Sequence, residues 1–317
     1  MKLQEIFGDR VKINELMKLH TTYRIGGPAD FYLEVRTADE VKNALVAAKE
    51  DNLAIFVLGG GSNILVSDDG IRGLVLVPAL RGIEIKSERI YAEAGALSAL
   101  FARLASEAGF AGLEWAAGLP GTVGGAIRGN AGGYGSAMGD AILDVHAIDL
   151  RDNSVVNFSK KECSFVYRGS IFKNEPYLIL GASFSLRPGD KTALVKKINE
   201  IVATRNVKNP SGVGSAGCVF RNFEFSSEEQ LSGKLRSKLP PEYLEWKKIP
   251  AAWLIESLDL KGKMIGKAQI SEEHANFFVN TGGATASEVL ELISYAKMKV
   301  RDELGIQLQE EIQYVGF

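Results

Sequence analysis

Glycine-rich runs at two places constrain this chain more than any other feature. Gly59-Gly60-Gly61-Ser62-Asn63 ends one apolar run, and Gly118-Leu119-Pro120-Gly121-Thr122-Val123-Gly124-Gly125 ends another. Glycine reaches positive φ and lacks the Cβ that would hold a phosphate at a distance. Successive N–H groups can then converge on anionic oxygens. The pair suggests backbone brought against a large anionic ligand, although a loop-rich fold also uses glycine for its turns. The whole stretch 112–139 is dense in glycine and loses much entropy on ordering. Cofactor contact is one reason for such a stretch, and a long turn-rich connector is another.

Composition narrows the function classes. The 317 residues suffice for two or three domains, at about 100–200 residues each. A hydrophobic fraction of 46% against 24% charged allows a sizeable core. The net charge of −2, with both signs mixed along the chain, creates no field that would recruit nucleic acid or an anionic membrane. The start, Met1-Lys2-Leu3-Gln4-Glu5-Ile6, lacks the apolar run of a signal peptide. No apolar stretch approaches the roughly 20 residues of a membrane span. Cys163 and Cys218 form no disulfide framework. The cytosol is the expected location. His20, His146 and His274 have no partner at ligand spacing, so no metal is expected. No Gly-x-Ser-x-Gly elbow is present.

The periodicity predicts a mixed α+β protein. Thr37-x-x-Glu40 reads as a capping box opening an amphipathic helix over 38–50, with Val41, Ala44, Leu45 and Ala48 on one face. Residues 54–58 read as a strand running into the triple glycine. Strands are also expected at 74–77 and 90–92, with turns near Arg81-Gly82 and Ser87-Glu88. Leu97, Leu100, Phe101, Leu104 and Ala108 mark a second helix, stopped by Gly109. Strands at 144–150 and 178–186 precede a helix with Leu194, Ile198, Ile201, Val202 and Arg205 on one face. Asn209-Pro210 ends that helix, and a domain boundary is placed there. The last third holds a polar stretch over 226–248 and a helix over 286–304. Thr285-x-x-Glu288 caps this helix, and Val289, Leu292, Ile293, Ala296, Val300 and Leu304 give it a buried stripe. No long β-α alternation of the doubly wound kind appears.

One literal G-x-G-x-x-G occurs, at Gly212, Gly214 and Gly217. It is rejected as a dinucleotide fingerprint, because that motif needs a strand before it and a helix after it. Here Asn209-Pro210 precedes and the strand-like Cys218-Val219-Phe220 follows.

Seven segments, in order, carry a resemblance. They are Thr21-Thr22-Tyr23-Arg24-Ile25-Gly26-Gly27-Pro28-Ala29, Leu-Gly-Gly-Gly-Ser-Asn-Ile-Leu at 58–65, Gly-Leu-Pro-Gly-Thr-Val-Gly-Gly at 118–125, Asn130-Ala131-Gly132, Tyr167-Arg168-Gly169-Ser170-Ile171-Phe172, Ala216-Gly217-Cys218-Val219-Phe220-Arg221-Asn222 and Glu311-Ile312-Gln313-Tyr314-Val315-Gly316. From about residue 14 to the C-terminus the chain resembles the UDP-N-acetylenolpyruvoylglucosamine reductase family. The resemblance implies a cytosolic bacterial flavoenzyme of peptidoglycan precursor synthesis. FAD would be bound, and NADPH and UDP-N-acetylglucosamine enolpyruvate would be its substrates. It also implies the FAD-binding fold of the vanillyl-alcohol-oxidase (PCMH) type, not a Rossmann fold. That fold would form two subdomains, 1–67 and 68–205, before an α+β substrate-binding domain at 206–317. A monomer is expected.

The same resemblance distributes roles. Gly59, Gly60, Gly61, Ser62, Asn63, Gly121, Thr122, Gly124, Gly125 and Asn130 would contact the cofactor. Hydride passes to the terminal enolpyruvyl carbon, so negative charge develops on the adjacent carbon and its carboxylate. Arg168 would stabilise that charge, since its planar fork suits a carboxylate or enolate. Cys218 stands where many members carry the serine that donates the proton. A thiol, with a reference pKa of about 8.5, remains a competent acid. Glu311 matches the glutamate that helps hold charge and protonation at the enol. Its neighbour Glu310 would point to the other face of a strand. Tyr167, Lys208 and Asn222 would contact substrate.

Departures accompany the match. Phe223 follows Asn222 where proline is frequent, and the polar stretch after it is expected to form a solvated excursion. No counterpart of the tyrosine-bearing loop of one subclass is evident, which favours the subclass lacking it. His274 is expected to be structural. Two competing readings remain: an oxidase of a small alcohol or sugar on the same flavin fold, and a nucleotide-binding sensor of cell-wall precursors.

Overall fold

The computed structural model describes residues 1–86 and 89–317, so the turn expected near Ser87-Glu88 lies outside the described residues. The chain divides into two compact units. The first comprises Met1–Glu15, Ala29–Gly60 and Arg72–Arg205, and the second Leu16–Pro28, Gly61–Ile71 and Asn206–Phe317. Among the described residues, no helix is long and apolar enough to cross a membrane.

The first unit contains two sheets. In one, Pro28–Val35 lies between Lys12–Leu16 and Ile71–Pro78, and Ile55–Val57 pairs in parallel with Ile71–Pro78. Helix Ala38–Glu50 buries the expected Val41, Ala44, Leu45 and Ala48 against Leu33, Val35, Leu74 and Leu76. Its cap is half of the expected box. Thr37 Oγ1 accepts the Glu40 N–H at 3.1 Å, but the Glu40 carboxylate takes the Arg36 N–H and the Arg10 guanidinium instead. The second sheet is antiparallel, in the order Val155–Ser159, Ile142–Asp149, Tyr177–Phe184, Arg89–Glu93 and Ile83–Lys86.

Two expectations for this unit need correction. Helix Ser98–Glu107 buries Ser98, Phe101, Ala102, Ala105 and Ser106, while Leu97 and Leu100 remain exposed. The small side chains let this helix pack closely, and a stripe drawn through the leucines alone is rotated off the buried face. The glycine-dense stretch is not all loop either. It contains the 3₁₀ turn Glu114–Gly118, the short helix Val123–Arg128 and a tight hairpin pairing Gly132–Gly133 with Ser136–Ala137.

The second unit centres on helix Ala286–Leu304. Thr285 and Glu288 form a complete capping box, and Gly305 ends the helix in the left-handed region at φ 76°. All six residues of the expected stripe are buried. Burial of its five valine, leucine and isoleucine side chains contributes about 1.5–3 kcal/mol each. An antiparallel sheet runs Gly214–Cys218, Phe277–Asn280, Ala268–Ile270, Met264–Ile265. The strand Gly214–Cys218 itself contains Gly214 and Gly217 of the G-x-G-x-x-G, so no helix opens there. The stretch after Asn222 is not a solvated excursion. Phe225, Leu231, Leu235, Leu239 and Ile249 lie in the same core as Leu292, Val300 and Leu304. Five apolar residues spaced along a charged segment are enough to seat its short helices, Gly233–Arg236 and Pro241–Glu245.

Candidate active site

In the first unit the two glycine runs meet through their backbones. A Cβ on Gly60 would fall against the Gly121 Cα, and one on Gly59 would lie 2.9 Å from Thr122 Oγ1. Thr122 caps helix Val123–Arg128 by accepting the Gly125 N–H at 3.4 Å. The Val123 and Gly124 N–H groups donate to Ala96 and Ala94, at 2.9 and 2.8 Å. A Cβ on Gly124 would sit 2.8 Å from that of Ala94. Among the described residues, the N–H groups of Gly59 and Gly60 meet no protein acceptor. A loop held this rigidly with donors left over fits an anionic cofactor group.

Asn130 follows in the same unit with φ 42° and is only 7% exposed. Its Oδ1 accepts the Gly139 N–H at 2.9 Å, and its Nδ2 donates to the Val166 carbonyl at 2.8 Å. Val166 and Gly169 exchange both backbone hydrogen bonds, at 3.0 and 3.1 Å, and so close a tight turn. Tyr167 and Arg168 occupy its centre, Arg168 at φ 54° with its guanidinium carbon 5.2 Å from the Tyr167 ring centroid.

The second unit holds the remainder of the first glycine run. Gly61, at φ 61°, accepts the Thr22 N–H at 3.1 Å. After Ser62, Asn63 Nδ2 donates to the Glu311 carbonyl at 3.2 Å, and the Gln313 N–H returns to the Asn63 carbonyl at 3.0 Å. Ile64–Val66 then pairs in parallel with Gln313–Val315. Glu311 donates its own N–H to Val219, at 2.7 Å. Cys218 is therefore one residue from a backbone partner of Glu311. It is half-buried, pairs with Phe277 and follows a β-bulge in its strand.

Asn276 was not singled out in the sequence, and it locks this junction. Its Oδ1 accepts the Phe220 N–H at 3.0 Å, its Nδ2 donates to the Phe220 carbonyl at 2.8 Å, and its carbonyl accepts the Val219 N–H at 2.8 Å. An asparagine between Ala275 and two phenylalanines was the available signal, since a buried amide must find partners. Nearby His274 accepts the Asn276 N–H at Nδ1, and burial pushes its imidazole pKa down.

The two glutamates separate clearly. Glu310 pairs with Lys297 Nζ at 2.7 Å and accepts from the Tyr314 hydroxyl at 3.3 Å. Asn222 Oδ1 accepts the Ala251 N–H at 3.2 Å, at the start of helix Ala251–Glu256. Lys208 ends helix Lys191–Lys208 with an exposed side chain. Among the described residues it bonds to none of Asn63, Cys218 and Glu311. Tyr167 and Arg168 belong to the other unit.

Known proteins are similar to this chain along almost its whole length. It is 38% identical to the UDP-N-acetylenolpyruvoylglucosamine reductase of Caldanaerobacter subterraneus subsp. tengcongensis, over 99% of this chain and 97% of that one. The reductase of Rubrobacter xylanophilus is likewise 38% identical, with 99% and 98% covered. The chain belongs to the UDP-N-acetylenolpyruvoylglucosamine reductase family. Residues 209–315 match the family model for the C-terminal domain of that reductase, and 29–159 match an FAD binding domain. The solved reductase of Thermus caldophilus superposes with a TM-score of 0.76 at 30% identity, covering 96% of this chain and 99% of that one. The α+β fold and the FAD-binding domain expected from the sequence are therefore those found, and the chain is an FAD-binding oxidoreductase of this family.

Proposed function

We propose that the chain catalyses the NADPH-dependent reduction of UDP-N-acetylglucosamine enolpyruvate to UDP-N-acetylmuramate, in the cytoplasm, for peptidoglycan precursor synthesis. The observation that carries the reading is the junction in which Cys218-Val219 meets Glu311 and Glu311 meets Asn63. It brings the backbone that carries a thiol and a carboxylate to the residue that ends the first glycine run, an arrangement that suits the reduction of an enol ether. Bound FAD supplies the relay of two electrons between NADPH and the enol ether. Gly59, Gly60, Gly61, Ser62, Asn63, Gly121, Thr122, Gly124 and Gly125 hold that cofactor. The Arg168 fork receives the substrate carboxylate and the charge that grows beside it. The Cys218 thiol gives its proton to the adjacent carbon, and Glu311 holds the protonation state at the enol. Tyr167, Lys208 and Asn222 contact the substrate, Lys208 at its diphosphate and Asn222 on its uridine side.

Purified protein is expected to be yellow, to bleach anaerobically with NADPH, and to recolour when the enol ether is added. A colourless preparation that takes up no added FAD would overturn the reading. Rapid recolouring in air with no effect of the enol ether would favour an oxidase instead.

A further inference from the structure

We propose that Asn130 is the positioning residue of Arg168, holding the arginine's turn rather than contacting cofactor with its side chain. This rests on the reading of Arg168 as the group that receives the developing charge. The geometry is two-sided and leaves the amide no choice of orientation. A backbone N–H faces one end, so that end is the oxygen; a carbonyl faces the other, so that end is the nitrogen. With 7% of the residue exposed and both ends bonded, the side chain is committed to the protein.

Its target is the base of the arginine turn. The Val166 carbonyl that Asn130 grips also accepts the Gly169 N–H, so one oxygen closes the turn and anchors it. Arg168 is held in the left-handed region within that turn, where its direction depends on the closure. A second strap lies alongside: Ser170 Oγ donates to the Arg128 carbonyl at 2.8 Å. Arg128 ends the helix that Thr122 starts. The ring of Phe165, next to Val166, also packs so closely on Gly139 that a Cβ there would lie 2.6 Å from it. The glycine run and the arginine are thus one hydrogen-bonded piece, and the Asn130 amide joins them.

Asn130→Gly tests this without backbone strain, because glycine accepts the positive φ. FAD content per protein and the rate of bleaching by NADPH are expected to stay near wild type. Anaerobic recolouring by the enol ether is expected to slow by about 10- to 100-fold, the scale of a misaimed group. Amide hydrogen exchange at Gly169 is expected to quicken. Asn130→Asp keeps the acceptor for Gly139 but sets an oxygen against the Val166 carbonyl, so it should recolour slowly, with a lowered melting temperature and FAD still bound. In an Arg168→Ala background, Asn130→Gly should add less than about twofold, since residues acting as a unit are not additive. Loss of FAD from Asn130→Asp, or a full multiplicative effect in the double variant, would overturn the positioning role. Slow recolouring by Arg168→Ala alongside normal recolouring by both Asn130 variants would sink this proposal alone. Normal recolouring by Arg168→Ala would remove the arginine's role itself.

Discussion

Asn63 Nδ2 donates to the carbonyl of Glu311, 248 positions farther along the chain, at 3.2 Å. This bond and the return from Gln313 place the Glu311 backbone beside the end of the first glycine run. The neighbouring Glu310 is occupied by Lys297 and Tyr314.

Glu311→Gln and Glu310→Gln should therefore part company. The first is expected to lower product formation by about 10²- to 10⁴-fold, the range for a lost proton-handling group. The second breaks a pair whose side chains are 24% and 28% exposed. It should cost no more than about 1 kcal/mol of stability and leave turnover within about threefold. Steady-state assays with urea melts on both variants decide it. Equal losses of turnover would move the role to Glu310 or remove it from both.

Cys218 is the second test. Cys218→Ser should keep substantial turnover, because a hydroxyl can still donate. Cys218→Ala should bleach with NADPH yet form product about 10²-fold or more slowly. Alkylation provides an independent readout. Cys163 is fully buried, and burial pushes its thiol up to about 11, so it stays protonated and shielded. Iodoacetamide inactivation is then expected to follow modification of Cys218 alone, measured by peptide mass. Normal product formation by the alanine variant would exclude the thiol from the chemistry.

The glycine runs make a sharper prediction than their composition did. Gly60→Ala forces a methyl onto the Gly121 backbone, with no flexible side chain to yield. Gly129→Ala meets nothing closer than an ordinary contact of 3.6 Å, at a φ of −86°. The first variant should lose bound FAD or fail to accumulate, and the second should retain FAD with a stability change within about 0.5 kcal/mol. Absorbance per protein after gel filtration distinguishes them. Full flavin content in Gly60→Ala would mean that the two runs need not touch.

Local signals wrote most of the helices plainly. Thr285, Glu288 and the stripe from Val289 to Leu304 state a start, a face and a length within one helix, and all three are observed. The failures arise where neighbours decide. Ser98, Ala102 and Ala105 are buried because the surrounding core accepts small side chains, which the helix's own periodicity does not state. The short helix after Thr122 hides among glycines of low helical propensity and is held by bonds to Ala94 and Ala96. Motifs drew attention to Asn63 and Asn130 as to Cys218 and Glu311, but the backbone bonds made by the side chains of Asn63, Asn130 and Asn276 were not legible. A side chain bonded to backbone many positions away leaves no periodic trace.

The segment after Asn222 offers a direct check on that correction. Leu235 is fully buried and shares its core with Val300 and Leu304 of the long helix. Leu235→Ala should cost about 2–5 kcal/mol, as for other buried leucines. A solvated excursion would lose almost nothing. Urea unfolding of the C-terminal unit within the full chain, followed by Trp246 and Trp253 fluorescence, reports the difference.

Acid sensitivity should carry a signature of Glu40. The Arg10 guanidinium and the Arg36 N–H hold its carboxyl down at about 2. In the unfolded chain a glutamate titrates near about 4.3. A folded value below the unfolded one contributes stability that is fully present above the unfolded value and is lost as pH falls toward the folded one. The advantage of wild type over Glu40→Gln should therefore be constant above about pH 5 and shrink from there toward about pH 2. The two side chains are 27% and 41% exposed, so solvent screening keeps the full advantage near about 1 kcal/mol. Urea midpoints of both proteins across this range, compared as a difference, cancel the other carboxylates. A difference that stays flat with pH would mean that the ionised Glu40 does not stabilise the fold.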